Sequence, residues 1–334
     1  MTRNRRFKSL VRARAAKTGE SYSAALSHLR KIVLTNEGEC SSVPSLRIAV
    51  AQSPLFNSLS DRSGLTQHGE RLRNLMRAAR GADAKLIQFP ETSLFQPEKR
   101  ALSSSGPKEI GPADWSRVDW SALQAEFEKI RAEAQHLGLW TVIGLPHRDD
   151  GSTRPFNSLF VISADGKITT RYDERMLSYT KTSFLYARGE RARTFDISGL
   201  RFACALGTES HYPEIAMDYE ERDVDCLLVS TTGGTSDRER AFEAEVIGHS
   251  ASLAFWTTLS VHAFSGQKAR SLIAAPHGLV AATADSNASP SLIFADLTET
   301  LSDPARIWRR QIRADLHPNP FSANVDGYTP RHLK

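Results

Sequence analysis

The sequence predicts a layered α/β protein with a mixed sheet, preceded by a short basic helical hairpin. Apolar strand-like runs alternate with amphipathic helical segments over most of the 334 residues, and polar turns divide them. The first 34 residues are set apart by their charge. Hydrophobic residues make up 40% and charged residues 24%, which is typical of a globular chain and excludes collagen-like, disordered and membrane classes.

The N-terminal segment is strongly basic. Residues 1–34 carry nine Lys or Arg and one acid, so they hold a net charge of +8 and leave −3 for the remaining chain. Apolar residues recur at helical spacing from Phe7 to Ala15, Gly19 breaks the pattern, and Ser21 can cap a second helix. We therefore predict a helical hairpin over residues 1–35.

This hairpin has three possible roles. Clustered cations attract phosphates and acidic surfaces, which makes nucleic acid or an acidic partner a candidate, with contacts at Arg5, Arg6, Lys8, Arg12 and Arg14. The same charges can instead form the solvated face of an oligomerisation hairpin. An Arg-rich, acid-poor start also fits a transit peptide. The polar residues 36–45 then read as a linker.

The rest of the chain alternates strands and helices. A strand over 46–52, a helix over 64–80 and a strand over 84–89 come first, followed by a helix capped by Asp119 and a strand over 139–145. A hairpin turns at Gly166. The later strands are expected at 201–206, 225–230, 255–262, 271–275, 278–282 and 292–295, with a helix over 238–253. We expect one domain over 46–300 and a basic C-terminal extension over 301–334.

Neither a membrane segment nor a disulfide framework is expected. The longest uncharged stretch, residues 249–267, is interrupted by Ser, Thr, Gln and His. Three scattered cysteines are too few for a disulfide framework or a CxxC-type zinc site, and they favour a cytoplasmic location.

Several ordered blocks resemble the nitrilase, or carbon–nitrogen hydrolase, superfamily. The blocks are RIAVAQ (47–52), KLIQFPE (85–91), YDERML (172–177), LGTESHYPE (206–214) and SLIAAPHG (271–278). The resemblance implies an α-β-β-α sandwich that commonly pairs through helices into dimers or larger homo-oligomers. It also implies nucleophilic chemistry, in which a Cys thiolate attacks a nitrile or amide carbon beside a Glu base, a Lys and a second Glu.

The same alignment of blocks places two substitutions at the implied catalytic positions. The retained base falls on Glu91, but the Lys position falls on Glu174 and the Cys position on Gly207. The second Glu position is assigned to His147, and Glu209 is expected in the same pocket. Cys204 lies three residues before Gly207, which is roughly 10 Å along a strand and too far to replace the nucleophile.

Two carboxylates and an imidazole in one pocket would need a compensating charge. Either one Glu stays protonated or a cation binds. A divalent metal held by Glu91, His147 and Glu174 is one such possibility, although we expect no resident cofactor or metal.

These residues favour a nitrilase-superfamily homologue that lacks Cys-dependent hydrolysis and acts by binding. Its ligand would be a small amide-like or acid-like molecule, or a macromolecular partner. A hydrolase that cleaves C–N bonds by a non-family or metal-dependent route is the alternative. A structural oligomer with a nucleic-acid-docking hairpin is the second alternative.

Overall fold

The computed structural model describes residues 45–149, 153–264, 267–285 and 288–316, with side chains up to residue 313. The expected basic hairpin, most of the linker and the end of the C-terminal extension lie outside the described residues. Their structure therefore stays a prediction.

Thirteen strands are present in the described residues. They are β1 (Ser45–Pro54), β2 (Leu86–Gln88), β3 (Trp140–His147), β4 (Phe156–Ile162), β5 (Ile168–Asp173), β6 (Thr194–Ile197), β7 (Leu200–Leu206), β8 (Cys226–Ser230), β9 (Trp256–Ser260), β10 (His262–Ala263), β11 (Leu272–Ala275), β12 (Leu279–Thr283) and β13 (Ser291–Thr298).

The α-helices lie between these strands, and α1, α3 and α5 fall where the sequence predicts helices. They are α1 (Arg62–Gly81), α2 (Lys99–Leu102), α3 (Trp120–Leu137), α4 (Pro213–Glu221), α5 (Ala241–Leu253) and α6 (Pro304–Leu316). Within the described part of the chain, no helix is long and apolar enough to span a membrane.

The strands form two mixed sheets. In the first sheet the order is β10-β1-β2-β3-β4-β5, and β13 also pairs with β1. The second sheet has the order β12-β11-β9-β8-β7-β6. Strands β1, β2 and β3 are parallel, whereas β3, β4 and β5 form an antiparallel meander. The carboxyl ends of β2 and β5 carry the acidic residues that the sequence analysis selected.

Helices cover the outer face of each sheet, which gives the predicted α-β-β-α layering. Leu72 of α1 and Phe127 of α3 belong to the apolar core on one face of the first sheet. Val50 and Leu159 of that sheet belong to a second core with Phe202 of the other sheet. Because neighbouring strand residues point to opposite faces, β1, β2, β3 and β4 contribute to both cores.

Local signals set several element ends as expected. The Asp119 carboxylate accepts a hydrogen bond from the Ala122 N–H at 3.1 Å and so caps α3. Gly138 ends that helix in the left-handed conformation, with a φ of 60°. Gly166, with a φ of 76°, makes the turn between β4 and β5.

The arginines of the C-terminal extension are used inside the fold. Arg306, Arg310 and Arg313 of α6 all form ion pairs with the buried Glu220 of α4. Arg310 also pairs with Asp223. The described part of this extension is therefore a helix bound to α4 through its charges, and these three cations are already paired.

Candidate functional site

Glu91 lies just after β2, in a turn that the fold holds tightly. The Phe89 N–H donates to the Val142 carbonyl, which fixes the turn against β3. His262 contacts the Glu91 carbonyl oxygen through Nε2 at 2.9 Å. Thr92, the next residue, has a φ of 49°, which is uncommon for a β-branched residue. The Glu91 side chain is 2% exposed, so this turn buries a carboxylate between the sheets.

Glu174 follows β5 and is fully buried. Its backbone N–H donates to the Asn157 carbonyl at 2.9 Å, so the residue continues the pairing of β5 with β4. The Asn157 side chain then joins the two acids: Nδ2 donates to Glu91 Oε1 at 2.8 Å and to Glu174 Oε2 at 2.5 Å. Two carboxylates predicted to share a pocket therefore do share one.

Lys181 supplies the cation between these carboxylates. Its Nζ donates to Glu174 Oε1 at 2.9 Å and Oε2 at 2.7 Å, and it also donates to Glu91 Oε1. The residue begins a π-helical turn, Lys181–Leu185. Arg154 donates to the carbonyls of Thr182 and Ser183 and so supports this turn. We call Glu91, Asn157, Glu174 and Lys181 the charged cluster.

Gly207 faces the charged cluster. It ends β7 and begins a 3-10 turn with a φ of 51°. A Cβ built on Gly207 would lie 2.9 Å from Lys181 Nζ, and 3.1 Å from both Glu174 Oε1 and Glu91 Oε2. The Lys181 ammonium therefore occupies the space into which a side chain at position 207 would point.

The charge balance of the cluster shifts two pKa values. Burial raises the pKa of Glu174 from 4.5 to about 8; Lys181 opposes this rise, and the nearby Glu91 carboxylate adds to it. Burial lowers the pKa of Lys181, but the carboxylates of Glu174 and Glu91 outweigh it and hold that pKa above its ordinary value. The lysine therefore stays charged, and Glu174 binds a proton more readily than an ordinary carboxyl group, because two carboxylates share one ammonium.

Glu209 is buried next to the cluster but binds the backbone. Its Oε1 accepts from the Arg175 and Met176 N–H groups at 2.7 and 3.1 Å, and its Oε2 accepts from the Leu206 N–H at 2.7 Å. The carboxylate thus ties the end of β7 to the segment after Glu174. It positions Gly207, and in the described part of the chain no hydrogen bond or ion pair joins it to Lys181.

His147 does not join the cluster. It shares its face of β3 with Ile143 and Leu145, which pack in the helix-covered core, and its Nε2 lies 2.8 Å from Asp149 Oδ1. Asn157 faces the opposite side of the sheet, toward the other core. The three-residue metal set considered above is therefore not formed. Among the described residues, no group of three or more His, Cys, Asp or Glu is arranged to hold a metal ion.

Lys181 is the residue that sequence reasoning missed. The sequence predicts a proton or a bound cation between the two carboxylates, whereas the structure shows the Lys181 ammonium there. The available signal was a lysine seven residues after Glu174 in the same connection. Cys204 is buried in β7, and burial raises the pKa of its thiol, so it stays a core residue.

Comparison with known proteins places this geometry in a family. A family model for carbon-nitrogen hydrolases matches residues 47–306. The chain belongs to the carbon–nitrogen hydrolase family. The matched region contains every residue of the charged cluster and Gly207.

Solved structures of an amidase share this fold at low identity. A Cys-to-Ala mutant of the Nesterenkonia AN1 amidase from the nitrilase superfamily aligns with a TM-score of 0.67 and 17% identity, over 83% of this chain and 99% of that one. A Cys-to-Ala mutant of the same amidase in complex with butyramide aligns with a TM-score of 0.66 and 18% identity, over 83% and 99%. At this identity the likeness establishes the fold alone.

Proposed function

We propose that this chain is a carbon–nitrogen hydrolase family member that does not hydrolyse amides or nitriles with a thiolate and acts by binding. One observation carries the proposal: the Lys181 ammonium contacts both Glu91 and Glu174 and lies 2.9 Å from the position of a Cβ on Gly207. The place of the implied nucleophile has no side chain, and a paired cation fills the space in front of it.

Covalent catalysis needs an activated nucleophile beside its base. In one protease, loss of the nucleophile alone costs about a millionfold in turnover. Here Glu91 retains the position of the base, but its Oε1 already accepts from Lys181 and Asn157 and its Oε2 from the Thr232 N–H at 3.2 Å. These contacts favour a structural role for the Glu91 carboxylate, because both of its oxygens already accept hydrogen bonds from residues of the fold.

A hydrolase working by another route is the second candidate. The pKa of about 8 for Glu174 gives the site a group that can exchange a proton near neutral pH, beside a cation that could stabilise developing negative charge. The solved structures of the same fold are amidases. In this route Glu91 or Glu174 would activate water directly.

The two candidates differ in ammonia release from a short amide. Butyramide is a suitable substrate because the Nesterenkonia amidase was solved in complex with it. We expect purified full-length protein to release no more ammonia than its Glu91→Gln variant. Release by the unaltered chain that Glu91→Gln abolishes would overturn the proposal and favour the water-activating route.

Assembly, location and partners stay expectations. We expect a homo-oligomer in the cytoplasm, from the family resemblance and from cysteine usage. The basic residues Arg5, Arg6, Lys8, Arg12 and Arg14 remain candidates for contacts with nucleic acid or an acidic partner.

A further inference from the structure

An arginine-rich cleft is lined by Asp173, the residue that precedes Glu174 of the charged cluster. Its volume is about 340 Å³. Four arginines line it: Arg171 of β5, and Arg188, Arg191 and Arg193 from the segment before β6. We call it the arginine cleft. No residue of the charged cluster lines it.

The segment that carries three of these arginines is fixed to the sheet. The Ala187 N–H donates to the Pro155 carbonyl, and the Gly189 N–H donates to the Glu174 carbonyl, both at 2.8 Å. A Cβ on Gly189 would lie 2.2 Å from the Asp173 carbonyl oxygen, so only glycine permits this close approach. Because Thr194 then enters β6, residues 190–193 span two anchored points.

The cations of the cleft are balanced unequally. Arg171 is neutralised by Asp149 and Asp173, with N–O distances of 3.0 and 2.9 Å. Arg191 and Arg193 are exposed and form no hydrogen bond or ion pair with any residue that the structure describes.

Arg188 and Glu190 set the remaining charge. The Arg188 Nε donates to a backbone carbonyl at 2.7 Å, which leaves its charge uncompensated by a carboxylate. Glu190 lines the same cleft and has no described ion-pair partner. Counted over all its lining residues, the cleft sets four arginines against Asp149, Asp173 and Glu190, which is a net charge of +1. The positive charge is concentrated at Arg188, Arg191 and Arg193, because both aspartates contact Arg171.

This arrangement suits a small phosphate-bearing anion. A guanidinium group presents paired N–H donors that match phosphate oxygens, and a concave site focuses its field on the ligand. We propose that the arginine cleft binds a small polyanion of the pyrophosphate type, with Arg191 and Arg193 as its main contacts. The proposal does not depend on whether the chain hydrolyses amides.

Single-stranded nucleic acid fits the cleft less well. Proteins that bind it generally stack bases on open aromatic rings. Phe156 is the one aromatic residue that lines the cleft among those described, and the Arg171 guanidinium lies 5.6 Å from the centre of its ring. A base would have to displace Arg171 from its two aspartates, whereas a compact anion needs only the unpaired arginines.

Titration calorimetry of the full-length protein with inorganic pyrophosphate tests the proposal. We expect saturable binding at about 0.05 M salt, where charges are weakly screened. The Arg191→Ala/Arg193→Ala variant should bind at least about tenfold more weakly, since each guanidinium–phosphate pair is a charge-assisted hydrogen bond. The control variant Arg100→Ala/Arg238→Ala removes the same charge from two exposed arginines outside the cleft and should bind like the unaltered chain.

Three results would overturn the proposal. Equal weakening in both double variants would mean that net charge alone attracts the anion. Undiminished pyrophosphate binding in the Arg191→Ala/Arg193→Ala variant would locate the site elsewhere, for example in the basic N-terminal segment. The third result would be binding of a thymidine strand of about 20 nucleotides, which is longer than the site of one single-strand-binding module, without any binding of pyrophosphate. It would indicate a nucleic-acid surface instead.

Discussion

The charged cluster and the arginine cleft both bring charged side chains together, but they differ in how those charges are balanced. In the charged cluster, Lys181 contacts both carboxylates and the side chains are buried. In the arginine cleft, Arg191 and Arg193 are exposed and have no partner among the described residues. In the charged cluster the carboxylates and the ammonium thus pair with one another, whereas the arginine cleft keeps two cations that no described residue pairs.

The largest expected effect on stability comes from removing the cation of the charged cluster. In Lys181→Met, the buried side chains of Glu91 and Glu174 lose the ammonium that both contact. Breaking a buried ion pair by removing one partner costs about 3–5 kcal/mol, and we expect a loss of that size in the free energy of unfolding near pH 7. Chemical denaturation monitored by circular dichroism measures it.

Lys85→Met is the control for that loss. Lys85 is exposed, and the structure gives it no ion-pair partner within the described residues. Its replacement should change the unfolding free energy by no more than about 1 kcal/mol. Equal losses in the two variants would mean that Lys181 does not neutralise the carboxylates.

Adding a methyl group at position 207 tests whether the Lys181 ammonium fills the space next to Gly207. Gly207→Ala places a Cβ 2.9 Å from Lys181 Nζ and adds the strain of a positive φ. Gly138→Ala adds similar strain, with a φ of 60°, but its Cβ would meet nothing within 4 Å. We expect Gly207→Ala to be the more destabilising by about 1–2 kcal/mol, because Lys181 must shift.

Equal thermal unfolding shifts in the two alanine variants would show that Lys181 moves without cost. The cluster would then be looser than its contacts indicate, and the comparison with the arginine cleft would weaken.

The pH dependence of stability tests the proton on Glu174. Its pKa is about 8 in the folded chain against an ordinary 4.5, so between these values the folded chain binds a proton that the unfolded chain releases. The unfolding free energy contributed by this group therefore falls as pH rises from about 4.5 to 8 and is constant above that. Glu174→Gln should remove this fall.

The measured quantity is the difference in unfolding free energy between the unaltered chain and Glu174→Gln at several pH values from about 5 to 8. We expect the unaltered chain to lose stability relative to the variant across this window. Glu109→Gln alters an exposed carboxylate and should give a flat difference. A flat difference for Glu174→Gln as well would contradict a proton held in the cluster.

The smallest expected effect on stability comes from changes in the arginine cleft. Because Arg191 and Arg193 make no described contacts, Arg191→Ala/Arg193→Ala should alter the unfolding free energy by no more than about 0.5 kcal/mol in the absence of anions. Thermal unfolding measures it. A larger loss would mean that these arginines stabilise the fold and are not free for a ligand.

The sequence predicted the layered fold and most element positions because strong local signals set them. Strand-like apolar runs became β1, β3, β7 and β8, and Asp119 capped its helix. The π-helical turn at Lys181 had no such signal, since it depends on hydrogen bonds from Arg154 and on the buried carboxylates. Helix α6 was also missed, because the ion pairs with Glu220 that hold it are distant in sequence.

Within the site, the family resemblance implies one pocket for Glu91, Glu174 and Gly207, and the structure brings these three residues together. His147 was assigned from a weaker motif, and the alternation of β3 turns it to the opposite face of the sheet. A register error of one residue reverses the face, so motif matching alone cannot place such a side chain. Lys181 neutralises the carboxylates only because the fold buries its ammonium beside Glu91 and Glu174, and no local sequence pattern shows that contact.

Gly207 lies at the position of the implied nucleophile, and the Lys181 ammonium fills the space in front of it. Restoring the family's residues should therefore restore hydrolysis. The variant Gly207→Cys/Glu174→Lys/Lys181→Glu supplies a thiol and exchanges the acid and the lysine, which keeps the net charge of the two positions. Ammonia release from butyramide measures the outcome. We predict release by this variant, and none by the unaltered chain or by Gly207→Ala/Glu174→Lys/Lys181→Glu. Release by the unaltered chain that depends on Glu91 would contradict the account.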